Sequence, residues 1–481
     1  MKKYLIIISV IFVFIIVTIG LASNIETKEE KTLFYAYVKD NNLVLWNEKN
    51  NQKYILNSNI DIKNGPLSND YFNYSFDNSK IIYTNKTTDK GVDLYFANIT
   101  NLKQSNNTLI DTEVLSYQVV LNGIVYLKGT SLFYYDYNIS QEIVSDVVDY
   151  AVTNDKKELY YCLTNGDVYQ INLENLDQKT KILSNITGLE KYEQFVLVYK
   201  KEDIFYSFYI DNKLISDKAL NVLGVEEDAF YFIQYEGSLT KVESTEDLNE
   251  LNSNVATYRY QNGEVTKLGV GILAISPDFT NVSKDEYLVF GKYNGQTFDI
   301  SLYNQKDDYL VSLGNTSKFN FYAYDDTTKT IYYRGEDNLF YQANIVGKEL
   351  KNEKVISENV GSIAKKNGNI YYVANNNLHL LQDENILIAE NINDWFVINN
   401  DLYYTKNDGD KTVLSCYQCN MNEINNIASL SIIDNQIFYF ADTYLKENIL
   451  YGNLYTIINN VNVLVDNDVI ISFGVTSLNN N

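Results

Sequence analysis

One short pattern recurs along this chain: two apolar residues and then an aromatic, usually Tyr, entered from a polar turn. It reads LFY at Leu33–Tyr35, IIY at Ile81–Tyr83, IVY at Ile124–Tyr126, LYY at Leu159–Tyr161, IFY at Ile204–Tyr206 and FY at Phe230–Tyr231. It continues as LVF at Leu288–Phe290, IYY at Ile331–Tyr333 and Ile370–Tyr372, LYY at Leu402–Tyr404 and IFY at Ile437–Tyr439. From Tyr35 to Tyr439 the steps average about 40 residues, the period of a repeat that folds as one small sheet. The preceding turns, among them FDNS, LNG, TNDKK, KKNGN, INND and IDNQ, are rich in residues that tolerate tight backbone geometry.

A second strand follows the first at short range, as in DLYFANI (Asp93–Ile99), SLFYYDY (Ser131–Tyr137), DVYQINL (Asp167–Leu173), NLFYQANI (Asn338–Ile345) and NLHLL (Asn377–Leu381). Each pair reads as a hairpin, and further apolar runs such as VLSYQVV (Val114–Val120) fill the remaining strands. Composition agrees, because 43 Tyr and 22 Phe favour pleated, half-buried surfaces and only Pro66 and Pro277 interrupt them. One such sheet cannot bury both faces alone, so neighbouring units must stack around an axis. The expected fold is therefore all-β, a β-propeller of four-stranded blades.

Eleven units exceed the 4 to 8 blades usual in one propeller, so two tandem propellers are expected, at 33–250 and 251–481. The spacing stretches between Tyr231 and Phe290, where STEDLNEL (Ser244–Leu251) carries a helix-capping pattern. The alternative is a single seven- or eight-bladed propeller over 33–481, with insertions.

The stretch FDNSKIIYTNKTTDKGVDLYFANI (Phe76–Ile99) is similar to the repeats of TolB-like propellers, and AISPDFTNVSKDEYLVFGKY (Ala274–Tyr293) matches them in part. The repeated IYY followed by NLY or DLY also resembles lipoprotein-receptor-type repeats of exported bacterial propeller proteins. The resemblance implies a propeller fold and, by analogy, binding of proteins or other ligands.

After Met1, Lys2 and Lys3, the run Tyr4–Ala22 carries no charge, and as a helix it nearly spans a bilayer core. The lysines place 1–3 as a cytoplasmic tail, 4–22 as a transmembrane helix, 23–32 as a linker and the rest outside. The expected location is thus the cell membrane, single-pass, with the bulk of the chain extracytoplasmic. A cleaved signal peptide, with Gly20 and Ala22 at the cleavage site and a secreted product, is the alternative, although the apolar run is long for one. With so short a tail, no cytoplasmic domain to receive a signal is expected.

The net charge of −23 repels phosphate backbones, and Arg259 and Arg334 are the only arginines, so no nucleic-acid partner is expected. Two arginines also fall short of a sialidase-type carboxylate clamp. No GxSxG, GxGxxG or GxxxxGK[ST] motif is present.

His379 is the only histidine. In NLHLL it takes the place of the aromatic in DLY, SLF, DVY and NLF, which makes it a repeat position with a changed residue. Cys416 and Cys419, in CYQC, allow a local disulfide in an oxidising exterior. A zinc site would need them to meet Cys162 and His379 from other repeats. The turns Asn407–Asp410 and Asp325–Thr328 lack the ordered ligand alternation of a calcium loop.

No catalytic, cofactor-binding or metal-binding residues are therefore assigned, and no cofactor is expected. The function expected is non-catalytic binding or scaffolding of a protein or carbohydrate ligand at the outer face. The alternatives are a membrane-anchored carbohydrate-active enzyme with a carboxylate pair, and an envelope assembly factor or chaperone.

Overall fold

The computed structural model describes residues 34–56, 72–98, 107–273, 287–316 and 323–477, apart from 76, 78, 227, 305, 308, 326, 335–338, 367, 383 and 410. The membrane-anchor expectation for Tyr4–Ala22 and most of the partial match at Ala274–Tyr293 lie outside them. No helix of the described residues is long and apolar enough to cross a membrane.

The strands are short because their turns are encoded at close intervals. Two-residue hairpins with positive φ at both turn positions occur at Asp40–Asn41, Asp211–Asn212, Asn375–Asn376, Asn399–Asn400, Asp434–Asn435 and Asn459–Asn460. Left-handed pairs of this kind match the right-handed twist of the strands they join, and Asn adopts them at little cost. The abundance of Asn thus has a structural use.

The described strands form nine antiparallel sheets. Two of these are seven-stranded, and in each a long central strand serves two units. Thr108–Val120 pairs first with Gly91–Asn98 and then with Gly123–Lys128, changing partner near Glu113, whose φ is +58°. Lys213–Glu226 bridges Phe205–Ile210 and Ala229–Tyr235 in the same way. Counted by these meanders the described residues contain eleven units. The recurring aromatic triplet lies on the second strand of every unit but the fifth, where Ile204–Tyr206 leads into the third strand, Phe205–Ile210.

In several units the aromatic of the second strand sits directly across from an aromatic of the third. Tyr83 stacks on Tyr95 with centroids 5.5 Å apart, Tyr126 on Phe133 at 5.2 Å, Tyr161 on Tyr169 at 5.4 Å and Tyr439 on Tyr455 at 5.2 Å. Such cross-strand pairs are the unit of sheet stabilisation.

Between units, apolar clusters form an unbroken series. Phe34, Leu45, Ile81 and Tyr83 join unit one to unit two, and clusters of the same kind join each later pair. The series then closes. Tyr35, Tyr37 and Trp46 of unit one pack on Phe438, Phe440 and Val469 of unit eleven, and Thr476–Ser477 adds a strand beside Phe34–Lys39. The Tyr37 hydroxyl donates to Asp466 at 2.6 Å, and Lys39 reaches the same carboxylate at 2.9 Å. A strand order in which the C-terminus completes the first meander, with sheets stacked face to face, is that of a β-propeller.

The boundary expected at 250/251 falls within one sheet. The helix Thr245–Ser253 is present, capped by Ser244 and Asp247, yet it is an insertion between Ala229–Tyr235 and Val255–Gln261, which pair with one another in one sheet. Leu251 anchors it on Phe205 and Tyr235. The next cluster, Ala229, Tyr231, Leu273, Leu288 and Phe290, carries the series across that point.

Candidate functional site

A cavity of about 670 Å³ lies between units ten and eleven. Unit ten has three regular strands, and beyond the third, Lys411–Tyr417, the chain turns back as an irregular loop. Leu414 and Ile424 exchange backbone hydrogen bonds of 2.9 and 3.0 Å, and the Ile427 amide donates to the Thr412 carbonyl at 3.0 Å. This loop takes the place of a fourth strand. Cys416 and Cys419 fasten its start, with Cα atoms 5.7 Å apart and the two sulfurs bonded. Glu423 fastens its middle, accepting from Lys406 at 2.7 Å and from Ser415 at 2.8 Å. Lys406 and Ser415 hold its carboxyl below the ordinary glutamate range.

The opposite wall is unit eleven. Asp442 has φ +52° and lies in an irregular stretch of Gln436–Lys446, where the register shifts between Ala441 and Tyr444. A bulge of this kind re-aims a side chain, and the carboxylate accepts from Asn453 at 3.1 Å and Tyr455 at 3.2 Å. Tyr439 is buried beneath, donating to Asn462, while its stacking partner Tyr455 is half-buried and lines the cavity. Asn420, Asn422, Asn425 and Asn460 add amides. Among the described residues no Lys or Arg lines it.

A second, smaller cavity of about 340 Å³ adjoins the first through Asn460, which accepts from the Tyr403 hydroxyl at 3.2 Å. Turns of units ten, eleven and one meet there, with Glu48 and Asp401 in its lining. Burial pushes the Glu48 carboxyl above its ordinary pKa.

The residues singled out in the sequence do not converge on either cavity, apart from the cysteine pair beside the first. His379 stacks on Tyr372 with centroids 4.8 Å apart and planes 9° from parallel, the geometry of Tyr161 on Tyr169. Burial lowers its pKa, and Asn385 opposes the shift. Cys162 is buried in unit four, where burial and the charges of Asp149 and Asp167 push its thiol up to about 11. Among the described residues no group of three or more His, Cys, Asp or Glu is placed to hold a metal. Asp325 accepts from Thr327 and Thr328 as a turn residue, and Asn407 exchanges hydrogen bonds with Asn393. The cavity amides carry no sequence signal, because Asn pairs occur at hairpins all along the chain.

Fold and site together define an all-β repeat protein of propeller type with a polar cavity at the seam of its last two units. Comparison with known proteins adds little to this. No family model matches the chain, and no curated protein does. Among solved structures it is similar to BamB from Moraxella catarrhalis, with 10% identity over 64% of this chain and 95% of that one, at a TM-score of 0.29. It is also similar to the tricorn protease, with 10% identity over 73% of this chain and 44% of that one, at a TM-score of 0.21. Superpositions that loose carry no argument, and the fold assignment rests on the strand order and the closing strand.

Proposed function

We propose that this chain is a membrane-tethered, extracytoplasmic binding or scaffold protein without catalytic activity, its eleven units closed as one ring. The observation that carries the binding reading is the state of Glu423. A general acid needs its carboxyl held above the usual range, whereas Glu423 is held below it and its oxygen is committed to Lys406 and Ser415. So engaged, Glu423 is fixed in place and is not poised as a general acid. The single ring is supported by the cluster series and by the pairing of Thr476–Ser477 with the first unit.

A second reading, a membrane-anchored carbohydrate-active enzyme, is favoured by the raised carboxyl of Glu48, which lines the smaller cavity together with Asp401. Incubating the full, detergent-solubilised chain with a panel of aryl glycosides separates the two readings. No release of the aryl group is expected. Turnover that disappears in Glu48→Gln would replace the binding reading with the enzymatic one. For location, intact cells treated with a membrane-impermeant amine reagent should yield labelled lysines. Lysines that react only after lysis would place the bulk of the chain on the wrong side.

A further inference from the structure

We infer that the cavity between units ten and eleven binds an uncharged oligosaccharide. The inference rests on the binding reading above and names its ligand class.

The chemistry of the walls selects the ligand by what it offers and by what it repels. Amides at Asn420, Asn422, Asn425 and Asn460 present both donors and acceptors, which suits hydroxyl groups, themselves donors and acceptors. Tyr455 is the half-buried member of a stack whose other ring, Tyr439, is fully buried, so it offers an apolar ring edge or face of the kind that packs against sugar C–H groups. The stack and the Asp442 hydrogen bond fix its orientation before any ligand arrives. A site built in advance loses less entropy on binding.

Anionic ligands are excluded on two grounds. The Asp442 carboxylate lines the cavity beside Glu423, whose charge is paired with Lys406, and no described Lys or Arg is in the lining; with −23 on the whole chain, phosphate- or uronate-bearing polymers are repelled. A peptide is the less suitable occupant. Peptide grooves supply an open strand edge or an apolar pocket for anchoring side chains, and here the edge of unit ten is already occupied by the loop at Ile424. At about 670 Å³ the space falls within the range of small-molecule sites, enough for a few sugar rings.

The loop supplies three of the four amides, and three fastenings hold it: the disulfide, the Leu414–Ile424 bridge and the Glu423 contacts. This is more anchoring than a connection between two units needs for its own sake. It is what a loop that must present side chains at fixed positions requires.

The test uses the full chain in detergent and isothermal titration with tetrasaccharides of glucose, mannose and N-acetylglucosamine, with a tetragalacturonate as the anionic control. At least one neutral probe should saturate, with Kd between about 10 μM and about 1 mM, and the galacturonate should not. The double variant Asn422→Ala/Asn425→Ala should weaken that binding at least tenfold while its Tm stays at the wild-type value. Asp442→Asn should weaken it without admitting the galacturonate.

Failure of every neutral probe to saturate would overturn the inference, as would unchanged affinity in the double variant or preferential capture of an extended peptide. Hydrolysis of a bound tetrasaccharide would overturn the non-catalytic reading and leave the ligand class standing.

Discussion

His379 shows how a repeat turns an isolated residue into an interpretable one. Its place in NLHLL corresponds to the aromatic of its sister strands, and the ring stacks on Tyr372 as those rings stack on theirs. His379→Phe should therefore leave stability within about 0.5 kcal/mol, while His379→Ala should cost about 1–2 kcal/mol by removing the stack, both read from urea titrations. The pH dependence has a definite sign. Burial depresses the folded-state pKa below the ordinary imidazole value, so the unfolded chain binds the extra proton first, and stability falls as pH drops below about 6.5. With one histidine in the chain, His379→Phe should flatten that part of the stability curve, before carboxylates titrate. The cavity residues were not legible in this way. Asn422 and Asp442 look like any turn residue, and only the loop's return onto Leu414 and the irregularity at Asp442 bring them together.

At the scale of elements, strands and turns were legible because both are written in local chemistry. The Asp-Asn and Asn-Asn pairs mark hairpins, and the alternation of aromatic and polar residues marks faces. Asn376, at φ +63°, illustrates the constraint: Asn376→Val should cost about 1–2 kcal/mol and Asn376→Gly should be nearly neutral, as thermal unfolding would show. Less legible were features set by neighbours. The first strands of several units carry a bulge one residue in, between Val114 and Ser116, Val147 and Asp149, Val360 and Ser362, and Ile392 and Asp394. The capping box at Ser244 correctly marked a helix, but a helix does not say whether it joins two sheets or interrupts one. For the loop after Tyr417, Cys416→Ser with Cys419→Ser should speed amide hydrogen exchange at Ile424 and Ile427 and leave exchange in units one to nine unchanged.

For the whole molecule, the number of units was legible from the period, and their closure was not. Periodicity counts sheets, whereas closure depends on which two sheets meet, here through Tyr35, Tyr37, Phe438 and the strand Thr476–Ser477. Removing residues 475–481 should cost about 2–4 kcal/mol, from the burial of Val475 and the lost ladder, and should broaden the thermal transition as the seam frays. Co-expressed halves cut within Thr245–Ser253 should remain associated, since unit six would be divided between them; two independently folded halves would favour tandem propellers. The single-ring reading has a consequence for the axis. Sheets packed about 10 Å apart, eleven around a circle, place the middle of each roughly 17 Å from the centre, and four strands about 4.8 Å apart reach inward only about 7 Å of that. Seven such sheets would meet side chain to side chain in the middle. A ring of eleven would leave an opening of about 10 Å once side chains are counted, wide enough to admit water and an extended polymer strand end to end.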